Sequence, residues 1–370
     1  MERPAALREM CFCAARGPNR SFPVSALAPC PILSILVRVD SLTQAVLGAA
    51  VAEAGMGRQL GRRAILLGVA LGTLPDLDVL AHPLMDTIGE LEWHRGISHS
   101  LFLITLVTSL LGWLVSKLHK RAVSTGRAML TVWLILLTHV LIDVFTVYGT
   151  VVFAPFSEAR IGFNNLFIID PLFTMPMLLG VLAAWILRPR GSSGSFWNAL
   201  GLILASAYVL WSLGVKTWAD QKFVRAVHDH GIEAVQHMTA PTPLNTLLWR
   251  GVADDGESLH IGYVSVLRPS SPVRFIVIPK NPGLAPDNRA ANRLRWFSNQ
   301  YFSIETTPEG QLWSDWRFGE VPAASENPMP IFAWLIQPNG DVVPQRPTLN
   351  SRSLRAIWHL AQNPASQAEP

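Results

Sequence analysis

Charged residues are scarce in this chain of 370 residues: Asp, Glu, Lys and Arg make up 15% of it, against roughly 25% in a typical soluble domain. Half of the residues are hydrophobic, and the mean hydropathy is +0.29. This combination excludes a wholly soluble protein. The net charge is only +4 and no run of Lys or Arg accompanies it, so we expect no nucleic acid among the partners.

Cysteine is absent from the body of the chain, because all three cysteines lie within the first 30 residues. A disulfide framework or a thiolate metal site is therefore excluded there, and any metal must be bound through nitrogen and oxygen. Residues 1–39 make a poor signal peptide because their apolar stretch is short and contains prolines. We expect them to be a non-native or disordered extension, with translation starting at Val39.

Long apolar runs occupy residues 40–218. A bilayer crossing requires about 20 apolar residues, and four runs come close to that length, whereas two shorter runs precede them. The six are Ser41–Ala54, Ala64–Leu80, Ile97–Leu118, Ala128–Tyr148, Ile168–Leu187 and Phe196–Val215. We predict an α-helical polytopic membrane domain of five to six helices in a bacterial inner membrane, with the first two segments shallow or re-entrant.

The basic residues are divided unequally among the loops that join these segments. Three loops hold most of them, namely Arg58, Arg62, Arg63, Lys117, Lys120, Arg121, Arg127, Arg188 and Arg190, whereas the intervening loops hold only Arg95 and Arg160. Loops rich in Lys and Arg remain in the cytoplasm. The pattern therefore predicts that the loops 81–96 and 149–167, and everything from residue 219 onward, are extracytoplasmic.

From residue 219 the composition changes to short runs rich in β-branched and aromatic residues. The predicted strands are Thr246–Val252, Leu259–Val266, Val273–Pro279, Phe302–Glu305, Gln311–Phe318 and Ile331–Gln337. Asp254-Asp255-Gly256, Pro308-Glu309-Gly310 and Pro338-Asn339-Gly340 separate these runs as turns. Such punctuation is typical of antiparallel strands. We predict that residues 219–370 form a small, mainly antiparallel β domain outside the membrane, with helices at Pro286–Asn299 and Ser351–Gln362 and a disordered tail.

Histidine and aspartate interrupt the apolar half in three clusters. A charged side chain in a bilayer costs several kcal/mol unless it faces the bundle interior or water, so such residues are functional candidates. One isolated histidine is usually structural and one Asp-X-Asp usually ends a helix, but all three clusters are predicted at the same depth. The candidate metal ligands are Asp76, Asp78, His94, His99, His139 and Asp143.

Imidazole and carboxylate ligands suit Zn²⁺, with Mn²⁺ or Fe²⁺ as alternatives. Six candidates exceed one four-coordinate ion, which leaves either a two-metal site or one ion with outer carboxylates that orient the histidines. The ion would lower the pKa of a bound water molecule, and Arg95 would hold an anionic oxygen such as a phosphate. Asp170 is a candidate base or outer-shell residue, although Asp-Pro also simply begins a helix.

An ordered set of motifs resembles the bacterial membrane-bound metal-dependent hydrolase family, the YdjM-type, LexA-regulated inner-membrane proteins. The resemblance covers roughly Ser41–Leu187 and implies a multi-pass inner-membrane protein whose hydrolytic metal site lies on the six candidates. Many relatives have a histidine where this chain has Gln44. The motifs are Asp40-Ser41-Leu42-Thr43-Gln44-Ala45, Leu74-Pro75-Asp76-Leu77-Asp78, His94-Arg95-Gly96-Ile97-Ser98-His99-Ser100, Thr138-His139-x-x-x-Asp143 and Ile169-Asp170-Pro171-Leu172.

These observations predict a metal-dependent hydrolase that acts on an ester or phosphoester of a lipid or an envelope-derived molecule. Membrane lipid and a small-molecule or lipid substrate are the expected partners, and the oligomeric state stays open. One alternative is a transporter or metal-binding channel, since intramembrane Asp and His also build ion pathways. Another is a structural envelope protein with a non-catalytic metal. Clustering of the candidates on one side of the membrane favours a hydrolase or a structural site.

Overall fold

The computed structural model describes residues 41–167, 169–187, 194–321, 328–345, 347 and 351–364. The described residues belong to one compact unit. The predicted N-terminal extension, residues 1–39, lies outside the described residues, as do residues 365–370 of the predicted disordered tail.

Helices dominate the described chain as far as residue 229. They are α1 (Ser41–Leu60), α2 (Arg62–Gly72), a 3₁₀ segment (Pro75–Leu84), α3 (Thr87–Trp93), a 3₁₀ turn (Ile97–His99), α4 (Leu101–Leu118), α5 (Thr125–Phe145), α6 (Pro171–Leu187) and α7 (Gly194–Asp229). Within the described part of the chain, α4, α5 and α7 are long and apolar enough to cross a membrane. A fourth span results if α2 and the 3₁₀ segment, bent by 43°, cross together. The predicted helical membrane region is confirmed.

Glycines allow α1 and α2 to pack backbone against backbone. A Cβ added at Gly48 would lie 2.3 Å from the carbonyl oxygen of Gly68 and 2.7 Å from the Cα of Gly72. Small residues permit such close approach between membrane helices, where dispersion contacts rather than water drive association. The contact fixes the C-terminal end of α2, and with it the start of the 3₁₀ segment at Pro75.

Helix α7 continues past the membrane region. Its 36 residues correspond to about 54 Å of helix, well beyond the roughly 30 Å hydrocarbon core of a bilayer. In its last turns Phe223 and Val227 are buried against Trp249 and Val264 of the following strands. The boundary predicted at residue 218 therefore falls inside a continuous helix that enters the core of the C-terminal region.

The C-terminal region contains two four-stranded antiparallel sheets, in the order β1-β2-β3-β4 and β5-β6-β7-β8. This confirms the predicted antiparallel β fold. The strands are β1 (Gln236–Pro241), β2 (Leu248–Asp254), β3 (Ser258–Ser265), β4 (Phe275–Pro279), β5 (Phe302–Thr307), β6 (Gly310–Val321), β7 (Met329–Ile336) and β8 (Val342–Gln345). Helices α8 (Arg289–Phe297) and α9 (Ser351–Gln362) pack against them.

Helix α3 is embedded in the core of the C-terminal region. Its Ile88 and Leu91 pack with a cluster that includes Leu294 and Phe297 of α8. Ion pairs surround this contact: Arg289 meets Asp86 at 3.1 Å and Glu92 at 2.8 Å, and Arg293 meets Glu158 at 3.1 Å. The loops 81–96 and 149–167 therefore lie on the same side as the C-terminal region, as the predicted topology requires.

Candidate metal centre

Four side chains from three separate parts of the chain converge at the buried end of the helical bundle. Asp76 comes from the 3₁₀ segment, His99 from the turn before α4, and His139 and Asp143 from one face of α5. His99, His139 and Asp143 are buried, whereas the Asp76 side chain is 14% exposed. One ligand atom from each of the four lies within 4.8 Å of the others.

The separations between these ligand atoms fit a single divalent ion. His99 Nε2 lies 3.1 Å from His139 Nε2, 3.3 Å from Asp76 Oδ1 and 3.1 Å from Asp143 Oδ2. His139 Nε2 lies 3.5 Å from each of the same two carboxylate oxygens. Bonds of about 2.05 Å from zinc to nitrogen or oxygen give a regular tetrahedron edges of about 3.3 Å. The observed spacings bracket that value.

The orientation of His139 is set by a backbone carbonyl. Its Nδ1 lies 2.6 Å from the carbonyl oxygen of Gly72, which can only accept a hydrogen bond, so Nδ1 carries the proton. In the neutral ring Nε2 then presents a lone pair to the centre. The close packing of α1 on α2 delivers this carbonyl, which acts as an outer partner of a metal-binding histidine.

His99 is oriented by a relay through Ser98. Ser98 Oγ donates to Asp78 Oδ2 at 2.8 Å and lies 2.9 Å from His99 Nδ1. Because the hydroxyl proton is used on the carboxylate, Oγ accepts from His99 Nδ1 and leaves the Nε2 lone pair facing the centre. Asp78 therefore acts here as an outer carboxylate rather than as a ligand of the four-residue centre.

Two hydrogen-bond donors hold Asp143 in place through its Oδ1 atom. Gln44 Nε2 donates to Asp143 Oδ1 at 2.8 Å, and Arg95 Nη2 lies 3.1 Å from the same atom. Asp143 Oδ2 is buried and accepts no hydrogen bond within the described chain. Two histidine lone pairs and a carboxylate oxygen thus face one another at contact distance. A cation between them relieves their repulsion, so the donor set fits a divalent metal ion.

A second group lies beside the first and contains Asp78, His82 and His94, whose ligand atoms are within 4.8 Å of one another. His94 Nδ1 lies 3.0 Å from Asp78 Oδ1, and His82 Nδ1 lies 3.8 Å from Glu90 Oε2. Burial lowers the pKa of His94, and the Asp78 carboxylate opposes that shift. The six candidates are thus divided between two groups, and His82, which as an isolated histidine was expected to be structural, lies in the second group.

Arg95 and Asp170, the two predicted catalytic residues, both bind other groups of the protein. The guanidinium of Arg95 contacts Asp143 and donates to Thr146 Oγ1 at 3.0 Å. The hydroxyl of Tyr208 donates to Asp170 Oδ2 at 2.7 Å, and the amide of Leu172 donates to Oδ1 at 3.0 Å. Asp170 therefore caps α6 and belongs to neither of the metal-ligand groups found among the described residues.

Arg160 joins residues 94–99, which we call the ligand loop, to the C-terminal region. Its guanidinium donates to the carbonyl oxygens of His94 at 2.7 Å and Leu91 at 3.3 Å, and it lies over the rings of Tyr148, Trp296 and Phe297 at distances of 4.7 to 5.3 Å. Burial lowers the pKa of Arg160 to about 10, so it stays charged at neutral pH. In the sequence, Arg160 stands out only as one of the two basic residues of the intervening loops.

Fold and site together define a class: a multi-pass helical membrane protein with a buried histidine and aspartate centre. Residues 39–219 match the family described as YdjM inner membrane protein. The match covers the helical part of the chain and confirms the predicted resemblance to this family. The chain is also similar to the uncharacterized protein YfhP of Bacillus subtilis (strain 168), at 24% identity over 224 residues, or 54% of this chain and 66% of YfhP. No solved structure gives a significant match.

Proposed function

We propose that this protein is a membrane-embedded metal-dependent hydrolase of an ester or phosphoester bond. The observation that carries the proposal is the convergence of four ligand atoms. The Nε2 atoms of His99 and His139 lie 3.1 to 3.5 Å from each other and from one carboxylate oxygen each of Asp76 and Asp143. Asp76, His99, His139 and Asp143 would hold one divalent ion, with Zn²⁺ favoured by the nitrogen and oxygen donors and by the tetrahedral spacing.

A divalent ion held by these residues would supply Lewis acidity and an activated water molecule for attack on the ester. The chain's own residues prepare the site for it. Asp78, through Ser98, keeps His99 in the correct tautomer, and the carbonyl of Gly72 does the same for His139. Gln44 and Arg95 hold one oxygen of Asp143 so that the other stays directed into the centre.

The approach of a substrate is proposed on the side of Asp76. The other three ligands are buried, whereas Asp76 reaches the surface. Four protein ligands complete a tetrahedral shell, so catalysis requires a further coordination position or a movement of one ligand. Of the four, Asp76 is the ligand whose side chain is partly exposed. We also propose that this end of the bundle and the C-terminal region are extracytoplasmic, on the basis of the Lys and Arg distribution.

A structural metal site is the second candidate function. It is favoured by the same four-ligand shell, because structural zinc sites use four protein ligands whereas catalytic sites usually use three. The two functions differ in what loss of the exposed ligand does. If the site is catalytic, Asp76→Ala should change the turnover rate while the metal content falls only in part. If the site is structural, there is no turnover to lose.

The experiment is metal analysis and ester hydrolysis by the full chain purified in detergent, as wild type, His139→Ala and Asp76→Ala. We expect about one equivalent of metal in wild type and little in His139→Ala. Wild type should cleave a soluble nitrophenyl ester and a soluble nitrophenyl phosphodiester, whereas His139→Ala and Asp76→Ala should not. His119→Ala is the matched control and should behave as wild type, because His119 lies at the other end of α4, where its Nδ1 bonds the carbonyl oxygen of Val115. Equal metal content in all variants would contradict the site, and a metal-loaded but inactive wild type would favour the structural function.

A further inference from the structure

We propose that the substrate is a membrane lipid, which reaches Asp76 laterally from the leaflet beside the 3₁₀ segment Pro75–Leu84. The inference rests on the proposed hydrolase and names the substrate class for the same site. It follows from which surfaces surround the metal centre: exposed apolar side chains border the ligand-bearing segments, while the C-terminal region covers the neighbouring loops.

The 3₁₀ segment presents two chemically different faces. Asp76 and Asp78 point to the two ligand groups, whereas Leu77 and Leu80 are 48% and 68% exposed. The segment and α2 together are long and apolar enough to make a bent membrane span, so leucines exposed to this extent on it are expected to face acyl chains. Asp76, the surface-accessible ligand, thus neighbours a face that lipid covers.

The ligand loop, on the other side of the centre, also exposes an apolar side chain. Between Arg95 and His99, Ile97 is 44% exposed. The amide of Leu101 donates to the carbonyl oxygen of Val152, and that of Val151 to the carbonyl oxygen of Arg95, each at 3.0 Å. These bonds hold the loop 149–167 against the ligand loop.

The loop 149–167 adds exposed aromatic side chains next to the first turn of α4. Phe156 is 79% exposed, and its ring lies 5.6 Å from that of Phe102, which is also exposed. Phe153 is exposed beside them. Because α4 is a candidate membrane span, this group lies where the span meets the interface, and amphipathic or aromatic surface at that depth contacts lipid.

The aqueous side of the ligand loop is covered instead by the C-terminal region. The ring of His94 lies 5.4 Å from Tyr148, and Tyr148 is packed under Phe297 and Phe318. A substrate that approached past His94 from the aqueous side would have to displace this aromatic contact, whereas the exposed leucines of the 3₁₀ segment make the approach from the leaflet apolar. In the reaction a water oxygen bonds to the ester carbon or phosphorus, the bond to the alcohol oxygen breaks, and that oxygen leaves with the proton from the water.

The first test measures lipid position without turnover. The full chain in nanodiscs of phosphatidylethanolamine and phosphatidylglycerol is loaded with Mn²⁺ or with diamagnetic Zn²⁺, and trace lipids carry a nitroxide on the headgroup or at the end of an acyl chain. We expect Mn²⁺ to speed relaxation of the headgroup label more than that of the chain-end label. His139→Ala, which removes an ion ligand, should abolish the difference. Equal relaxation of the two labels overturns the proposal.

The second test measures selectivity with Leu80→Asn. Loss of one apolar contact should lower kcat/KM for a phospholipid in nanodiscs about tenfold and leave cleavage of a soluble nitrophenyl ester unchanged. Leu210→Asn is the control, because Leu210 on α7 is 70% exposed, close to the exposure of Leu80. Cleavage of the soluble ester but not of the phospholipid overturns the lipid proposal alone. Failure to cleave either substrate at full metal content contradicts the hydrolase instead.

Discussion

Hydrogen-bond partners outside the centre decide which nitrogen of each histidine faces the ion. A carbonyl oxygen fixes His139, and a serine that has already given its proton to Asp78 fixes His99. Both partners lie outside the ligand set, yet without them either ring could present a protonated nitrogen to the ion. Asp78 Oδ2 lies 3.7 Å from His99 Nδ1, and we therefore expect Asp78 to influence metal binding through this relay.

Asp78→Asn should weaken metal binding without abolishing it. The carboxylate acts on the ion only through Ser98 and His99, and loss of such an outer partner typically costs about 10–100-fold in metal affinity. Competition of the purified protein with a chelator of known affinity measures the change. His99→Ala, which removes a ligand, should bind far more weakly still.

Asp287→Asn is the control for this comparison, because Asp287 is an exposed carboxylate in the C-terminal region and its removal should leave the affinity unchanged. If Asp78→Asn lost the metal as completely as His99→Ala, Asp78 would be a ligand and the relay would be wrong.

The sequence could predict the set of ligand candidates but not how they divide. Aspartate and histidine stand out against an apolar background, and His139 and Asp143 share a helix face by their spacing alone. The division depends on the 3₁₀ conformation of Pro75–Leu84, in which Asp76 and Asp78 belong to different groups. The roles of Ser98 and the Gly72 carbonyl were equally hidden, since neither is an unusual residue in its local sequence.

Helix pairing governs the centre at the scale of elements. Helices α1 and α2 approach at Gly48, Gly68 and Gly72, and the carbonyl of Gly72 is the group that orients His139. A change in the spacing of these two helices is therefore transmitted to a metal ligand on α5.

Gly48→Ala should both destabilise the protein and weaken metal binding. The new Cβ would meet backbone atoms of Gly68 and Gly72 at 2.3 and 2.7 Å, and backbone cannot move aside as a flexible side chain can. Such overpacking costs about 1–3 kcal/mol. Thermal unfolding in detergent and metal titration measure the two effects.

The matched variant is Gly126→Ala in the first turn of α5, where an added Cβ meets nothing within 4 Å. It should keep full metal affinity and gain slightly in stability, because alanine favours the helix. Equal behaviour of the two variants would show that the contact between α1 and α2 does not position His139.

Element prediction from sequence succeeded where the pattern was strong and failed where packing decided. All six predicted apolar segments are helical over most of their length, and strands β2 to β7 lie close to their predicted runs. Strand β1, Gln236–Pro241, was missed because its residues do not alternate between apolar and polar, and β8 is only four residues long and contains Pro344. Both form by pairing with a stronger neighbour, which local sequence does not reveal.

At the scale of the whole molecule, the membrane region and the C-terminal region are joined by hydrophobic packing at two places. Ile88 and Leu91 of α3 pack with Phe297 and Trp313, and α7 passes from one region into the other. The family match ends at residue 219, so the part of the chain that encloses α3 and Arg160 lies beyond it. The C-terminal region therefore supports the ligand loop rather than being attached by a linker.

The membrane orientation gives the last prediction. Because the body of the chain lacks cysteine, replacing the three N-terminal cysteines by serine allows single cysteines to report sidedness. We expect Glu309→Cys, in the turn between β5 and β6, to react with a membrane-impermeant maleimide in intact spheroplasts, and Arg121→Cys, between α4 and α5, to react only after permeabilisation. The expectation follows from the Lys and Arg distribution. The loops 81–96 and 149–167 contact the C-terminal region directly. The reverse labelling pattern would therefore place the metal centre at the cytoplasmic face and restrict its substrates to that side.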